Sequence, residues 1–178
     1  MTYKASIMDE AQMRRSMARI AHEIIEKNNG AEHICLLGIR RRGIPLSKML
    51  AENIEKYEGV SVPVGHIDIG LYRDDLTEIS AQATTSDSYI PCDVKDCTVV
   101  LVDDVIYTGR TVRAAIEAVV RAGRPRAIQL AVLIDRGHRE LPIRPDYVGK
   151  NVPTARDEMV RVMMEEFDGE TGVSLYDL

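Results

Sequence analysis

The sequence predicts an α/β fold built on a central, mostly parallel sheet, and three observations predict it. Val99–Val102 and Ala127–Ile134 are apolar runs of the kind found in strands buried on both faces. Helical periodicities alternate with the strand patterns, which gives a parallel sheet with right-handed crossovers. The 178 residues suffice for a well-buried core, and no Pro/Ser/Gly-rich linker or repeat interrupts them. Residues 1–178 are therefore expected to form one domain.

The first helix is expected from Asp9, an N-cap with Gln12 three residues on in capping-box position. Met13, Met17, Ile20, Ala21, Ile24 and Ile25 recur at helical spacing, and Asn28-Asn29-Gly30 ends the element. His33–Ile39 reads as a strand, followed by Arg40-Arg41-Arg42-Gly43 and a second helix from about Pro45 to Tyr57. Val62–Tyr72 reads as a strand, with apolar alternation at Ile67, Ile69 and Leu71. Asp74–Tyr89 is polar and aperiodic, as in a long mobile loop. The Val99 strand follows, then a helix to about Ala122, the Ala127–Ile134 strand, and one or two short strands within Asp146–Met164. The tail after Asp168 carries no pattern.

Bulk properties remove several function classes. Net charge is −5, from 23 basic and 28 acidic residues, so a generic nucleic-acid coat is excluded and any RNA contact needs a local basic patch. No run approaches the roughly 20 apolar residues of a membrane span. The first residues lack the apolar core of a signal peptide. Three cysteines, Cys35, Cys92 and Cys97, suit reduced thiols in a cytoplasmic protein. Cys92 and Cys97 lie five apart with no His nearby, a poor zinc pattern.

The chemistry concentrates in Val99–Thr111. The strand delivers Asp103 and Asp104 at its carboxyl end, where open α/β sheets bind ligands. Two adjacent carboxylates repel and need a reason. They suit the vicinal hydroxyls of a sugar. The turn Tyr107-Thr108-Gly109-Arg110-Thr111 then offers backbone amides, two hydroxyls and a helix N-terminus, which together make an anion site. A sugar phosphate fits both halves.

This segment resembles the phosphoribosyl pyrophosphate (PRPP) signature of type I phosphoribosyltransferases: four apolar residues, two acids, then Thr-Gly-x-Thr. The resemblance implies that family's fold, with a flexible loop and a small base-binding hood. It implies that Asp103 and Asp104 hold the ribose hydroxyls while Val105, Tyr107, Thr108, Gly109, Arg110 and Thr111 cradle the 5-phosphate. Arg40, Arg41, Arg42 and Gly43 stand where the family rests pyrophosphate, although a short arginine run also suits a solvated turn. Tyr72, Arg73 and Asp74 open a segment that would close over PRPP, with a surface hairpin as the alternative. The base is expected against Ile134, Asp135, Arg136 and Gly137. His138 reads as a solvated loop residue, and no residue stands out as a general base. Mg²⁺ is expected to enter with PRPP and water rather than through direct protein ligands.

Purine-using members usually carry Asp where this chain has Tyr107, which favours a pyrimidine. Leu71–Leu76, Val102–Ala114 and Leu133–Arg144 resemble the family that joins pyrimidine-operon attenuation to uracil phosphoribosyltransfer. That resemblance runs from Asp9 through Pro153. It implies formation of UMP and pyrophosphate from uracil and PRPP, binding of pyrimidine-operon leader RNA in response to UMP or UTP, and a homo-oligomer. A salvage transferase for a pyrimidine or purine, without RNA binding, is the alternative. For RNA, Arg15, Arg19 and His22 lie on one helical stripe with Lys27 adjacent, and Arg139, Arg144 and Lys150 form a later basic set. A solvated face is the other reading of such a stripe. Ala18, between these positions, lacks the hydroxyl that an RNA contact there would use.

Overall fold

The computed structural model describes residues 1–70 and 87–178. Strand β1 (Thr2–Asp9) leads directly into helix α1 (Glu10–Lys27). The capping box forms as the sequence requires: the Gln12 amide donates to Asp9 Oδ1 at 2.7 Å, and the Asp9 amide donates to Gln12 Oε1 at 2.9 Å. Met13, Met17, Ile20, Ala21 and Ile24 form its buried face.

Strand β2 (Ile34–Ile39), helix α2 (Gly43–Glu58) and strand β3 (Val64–Ile67) follow. α2 starts two residues before the expected Pro45, which therefore sits in its first turn, where a missing N–H costs nothing. β3 is shorter than the expected Val62–Tyr72 strand, and Leu71 and Tyr72 lie outside the described residues. So do Arg73, Asp74 and most of the expected mobile loop. At its end Tyr89 bridges His66 of β3 in antiparallel fashion. Strand β4 (Thr98–Ile106), helix α3 (Arg110–Ala122), strand β5 (Ala127–Asp135) and strand β6 (Tyr147–Asn151) complete the central sheet.

The sheet order is β3-β2-β4-β5-β6, and every neighbouring pair is parallel. Side chains of β4 alternate between two buried layers. Val100 and Val102 pack with Leu36, Leu46 and Leu50 under α1 and α2. Val99 and Leu101 pack with Leu37, Val112, Ala115 and Val119 under α3. The strand order reverses between β2, which is followed outward by β3, and β4, which is followed on the other side by β5. A crevice at the carboxyl ends of these two strands is the ligand position for such sheets.

The chain ends build a second sheet that the sequence did not reveal. β7 (Glu158–Met163), the four-residue helix α4 (Glu165–Asp168) and β8 (Gly172–Asp177) follow β6, and β8 pairs antiparallel with both β1 and β7. The tail after Asp168 is thus the middle strand of a three-stranded sheet. Among the described residues, no helix is long and apolar enough to cross a membrane.

Candidate active site

The acid pair sits at the carboxyl end of β4, flanked by β2 and β5. Asp103 is only 7% exposed, and its Oδ1 accepts from the Asp104 amide at 2.9 Å. Asp104 Oδ1 accepts from the Val105 amide at 2.8 Å. Burial pushes the Asp103 carboxyl well above the ordinary range, and the neighbouring Asp104 charge adds to the shift. Burial also raises Asp104, against the opposing effects of its hydrogen bond with Asp103, the Val105 amide and the Arg42 charge. Burial thus disfavours two full charges at this strand end.

Five residues after Asp104, Gly109 adopts φ +94° and opens α3 with no side-chain cap of its own. A left-handed turn suits glycine, and the first-turn amides of α3 are of the kind that can receive an anion. Thr108 Oγ1 accepts from the Arg110 amide at 3.3 Å, which tightens the turn.

The loop after β5 is laced to this turn. The Thr108 carbonyl accepts from the amides of Glu140 at 2.9 Å and Leu141 at 3.2 Å. Arg139 donates to the Tyr107 carbonyl at 2.9 Å, to the Ile143 carbonyl at 2.9 Å and to Asp135 Oδ2 at 2.5 Å. Arg136 lies 4.1 Å over the Tyr107 ring and donates to the Glu158 carbonyl at 2.8 Å, so its charge is spent inside the protein. His138 packs its ring edge-on to Tyr107 at 5.9 Å and touches the Thr154 carbonyl at 2.5 Å. Instead of a solvated residue, it is a structural tie. Beside this loop is a cleft of about 440 Å³ lined by Asp135, Gly137, Asn151 and Thr154 among others.

The loop Arg40–Gly43 lies across the crevice from the acids, and its Arg40–Arg41 peptide is cis. Each of the three guanidinium groups has a partner, although Arg40 and Arg41 stay exposed. Arg40 pairs with Asp68 at 3.2 Å and with Asp87. Arg41 lies 4.5 Å over the Phe167 ring, and Arg42 Nη2 is 3.1 Å from both carboxylate oxygens of Asp168. Asp168 and Phe167 were not suggested by sequence, because a contact across 126 residues leaves no local signal.

The expected basic patch divides. Arg15, Arg19 and Lys150 line one hollow of about 390 Å³ along α1 and β6. Arg19 also donates to the Gly149 carbonyl at 2.6 Å. Lys27 pairs with Asp146 at 2.6 Å, two residues beyond the exposed Arg144. His22 stacks on Tyr57 of α2 at 3.9 Å. Arg139 does not join the patch; Asp135 draws it into the loop after β5. The three thiols gather, with Cys92 and Cys97 sulfurs 3.3 Å apart, yet among the described residues no His/Cys/Asp/Glu group has the arrangement to hold a metal ion.

A family model described as a phosphoribosyl transferase domain matches residues 5–163. A relative from Acetivibrio thermocellus named "Bifunctional protein PyrR" is 60% identical, over 98% of this chain and 95% of its own length. The chain belongs to the phosphoribosyltransferase family, in its PyrR group. A PyrR from Clostridium acetobutylicum is 57% identical over the full length of both chains. Among solved structures, a hypoxanthine phosphoribosyltransferase from Trypanosoma cruzi superposes with a TM-score of 0.76 at 19% identity, over 97% of this chain and 94% of that one. A hypoxanthine-guanine phosphoribosyltransferase from Bacillus anthracis gives 0.72 at 18%, over the full length of both. At such identities these two show the fold alone, the type I phosphoribosyltransferase fold expected from Val99–Thr111.

Proposed function

We propose that this PyrR-group chain regulates pyrimidine-operon expression by binding leader RNA in response to uridine nucleotides, and forms UMP and pyrophosphate from uracil and PRPP in the same pocket. The observation that carries the reading is the buried pair Asp103–Asp104 followed by the uncapped turn at Gly109, at the reversal point of the sheet. Asp103 and Asp104 accept from the ribose hydroxyls. Backbone amides from Val105 to Thr111, with both threonine hydroxyls, hold the 5-phosphate. Loop residues Arg40–Gly43 receive pyrophosphate. Backbone groups around Asp135 to Gly137, with Ile134 and Arg136 beside them, read the edge of uracil. Its N1 attacks C1 of the sugar as the C1–O bond to pyrophosphate breaks, and the N1 proton passes to solvent. Tyr72, Arg73 and Asp74 are proposed to close over the bound sugar. The enzyme's share is orientation and charge placement, with no general base assigned.

Two carboxylates are a hard-oxygen donor set, but too few for an all-protein Mg²⁺ cage. They fit an ion carried in with PRPP and water, held through the ribose hydroxyls beside Asp103 and Asp104. When bound, Mg²⁺ offsets the charge developing on the leaving pyrophosphate. The hollow at Arg15, Arg19 and Lys150 supports the RNA contact. This reading treats residues 1–178 as one transferase domain, acting in the cytoplasm as a homo-oligomer.

The test has two arms. Purified protein with Mg²⁺, PRPP and uracil should yield UMP, and gel shift with pyrimidine-operon leader RNA should tighten on adding UMP. Turnover of uracil without any shift would leave a salvage transferase; turnover of a purine in place of uracil would overturn the base assignment.

A further inference from the structure

We propose that Asp168 and Phe167, on the short helix of the C-terminal hairpin, are positioning residues for the pyrophosphate loop. This inference rests on the transferase reading above. It concerns residues beyond the stretch 5–163 that the family model matches.

The contact is built, not incidental. Asp168 has a side chain only 7% exposed, although it sits near the chain end. Its Oδ1 accepts from Arg161 at 3.0 Å and its Oδ2 accepts from the Met164 amide at 2.9 Å. Both oxygens also take Arg42 Nη2 at 3.1 Å. One carboxylate thus faces two arginines and an amide, so the surroundings stay positive towards an incoming pyrophosphate. Arg42 turns this nitrogen to Asp168, and its Nε is buried with no partner among the described residues. The guanidinium is gripped at one end while its backbone opens α2. Next to it, Phe167 lies under Arg41 at 4.5 Å. Two successive loop arginines are therefore set by two successive residues of one turn. Holding a long cationic side chain before the ligand arrives removes an ordering cost from binding.

The experiment compares steady-state kinetics of Asp168→Asn, Asp168→Glu, Phe167→Leu and Arg161→Ala with the unaltered chain. Asp168→Asn should raise the KM for PRPP and the inhibition constant for pyrophosphate about tenfold, with kcat within about twofold and the KM for uracil unchanged. Asp168→Glu should restore part of that loss, because the charge returns. Phe167→Leu keeps the apolar bulk and should weaken pyrophosphate about threefold. Arg161→Ala removes one donor from Oδ1 but leaves the Arg42–Asp168 contact in place, and should cost clearly less than Asp168→Asn, about threefold at most in pyrophosphate binding. If Asp168→Asn folds and binds pyrophosphate normally, or if it fails to fold and Phe167→Leu binds normally, the inference is overturned. An equal loss in Arg161→Ala would reduce Asp168 to a support of the hairpin and overturn it as well. Should the unaltered chain turn over no PRPP at all, the transferase reading itself fails.

Discussion

Gly43 and Val102 meet so closely that a Cβ on Gly43 would stand 2.2 Å from the Val102 carbonyl oxygen. This approach sets the start of α2 and the Arg40–Gly43 loop against the strand that carries Asp103 and Asp104. Gly38 reinforces it, since a Cβ there would meet the Gly43 carbonyl oxygen at 2.5 Å. The spacing between the Arg40–Gly43 loop and the acid pair is thus fixed by backbone contact.

Gly43→Ala should accordingly cost at least about 3 kcal/mol in urea denaturation, the upper end for overpacking, because the opposing atom is backbone and cannot swing away. Gly109→Ala offers a contrast. A Cβ there would find Leu141 at an ordinary 3.5 Å, so only the φ of +94° resists, and the cost should be about 1–2 kcal/mol. A Gly43→Ala chain as stable as the original would refute the account of the crossing.

Asp103→Asn should separate stability from binding. The folded state holds Asp103 protonated above its unfolded value of about 3.9, so an unfolded chain releases that proton first as pH rises. The wild type therefore loses stability from about pH 4 upward through the folded pKa, relative to the Asn variant, which cannot titrate. Denaturation at pH 4 and pH 7 should show the variant gaining on the wild type with rising pH. Meanwhile the KM for PRPP should rise about tenfold or more, because the Asn carboxamide puts an N–H donor where a carboxyl oxygen accepts from a ribose hydroxyl. A stability difference independent of pH would contradict the protonation argument.

The sequence disclosed those elements whose burial follows a period. α1 shows its face in Met13, Met17, Ile20 and Ile24, and β4 shows two buried faces in Val99–Val102. β1 and β8 were illegible for a physical reason. β1 buries only Met8 and leaves Thr2–Lys4 exposed, so no alternation marks it as a strand. At the site, the acids and the Gly109 turn were readable because they are contiguous. The partners of the arginines were not. Arg42 meets Asp168, and Arg139 is turned from an apparent surface cation into the strut between Asp135 and Tyr107 by the fold alone.

That strut gives the next prediction. Arg139→Ala should remove three hydrogen bonds, one of which, to the Tyr107 carbonyl, joins the loop after β5 to the turn at Gly109. We expect kcat/KM for both uracil and PRPP to fall about tenfold or more, corresponding to about 1.4 kcal/mol or more of lost positioning. RNA affinity should change less than twofold in gel shift. The reverse pattern, intact UMP formation with lost RNA binding, would return Arg139 to the basic patch.

Arg15 and Lys150 supply the complementary case. They line the same hollow, and Lys150 Nζ reaches the Ile7 carbonyl at 3.1 Å, which fixes its amine at the rim beside α1. Neither residue touches the acid pair or the turn at Gly109, so UMP formation should stay within about twofold in Arg15→Ala and Lys150→Ala. If these cations neutralise RNA phosphates, each substitution should weaken leader-RNA binding and reduce the slope of log K against log salt by about 1. The slope matters more than the affinity, because a side chain acting through packing alone would lower affinity equally at all salt concentrations. With a net charge of −5, the protein has no global attraction to fall back on. An unchanged slope in both variants would therefore remove this hollow from the RNA interface.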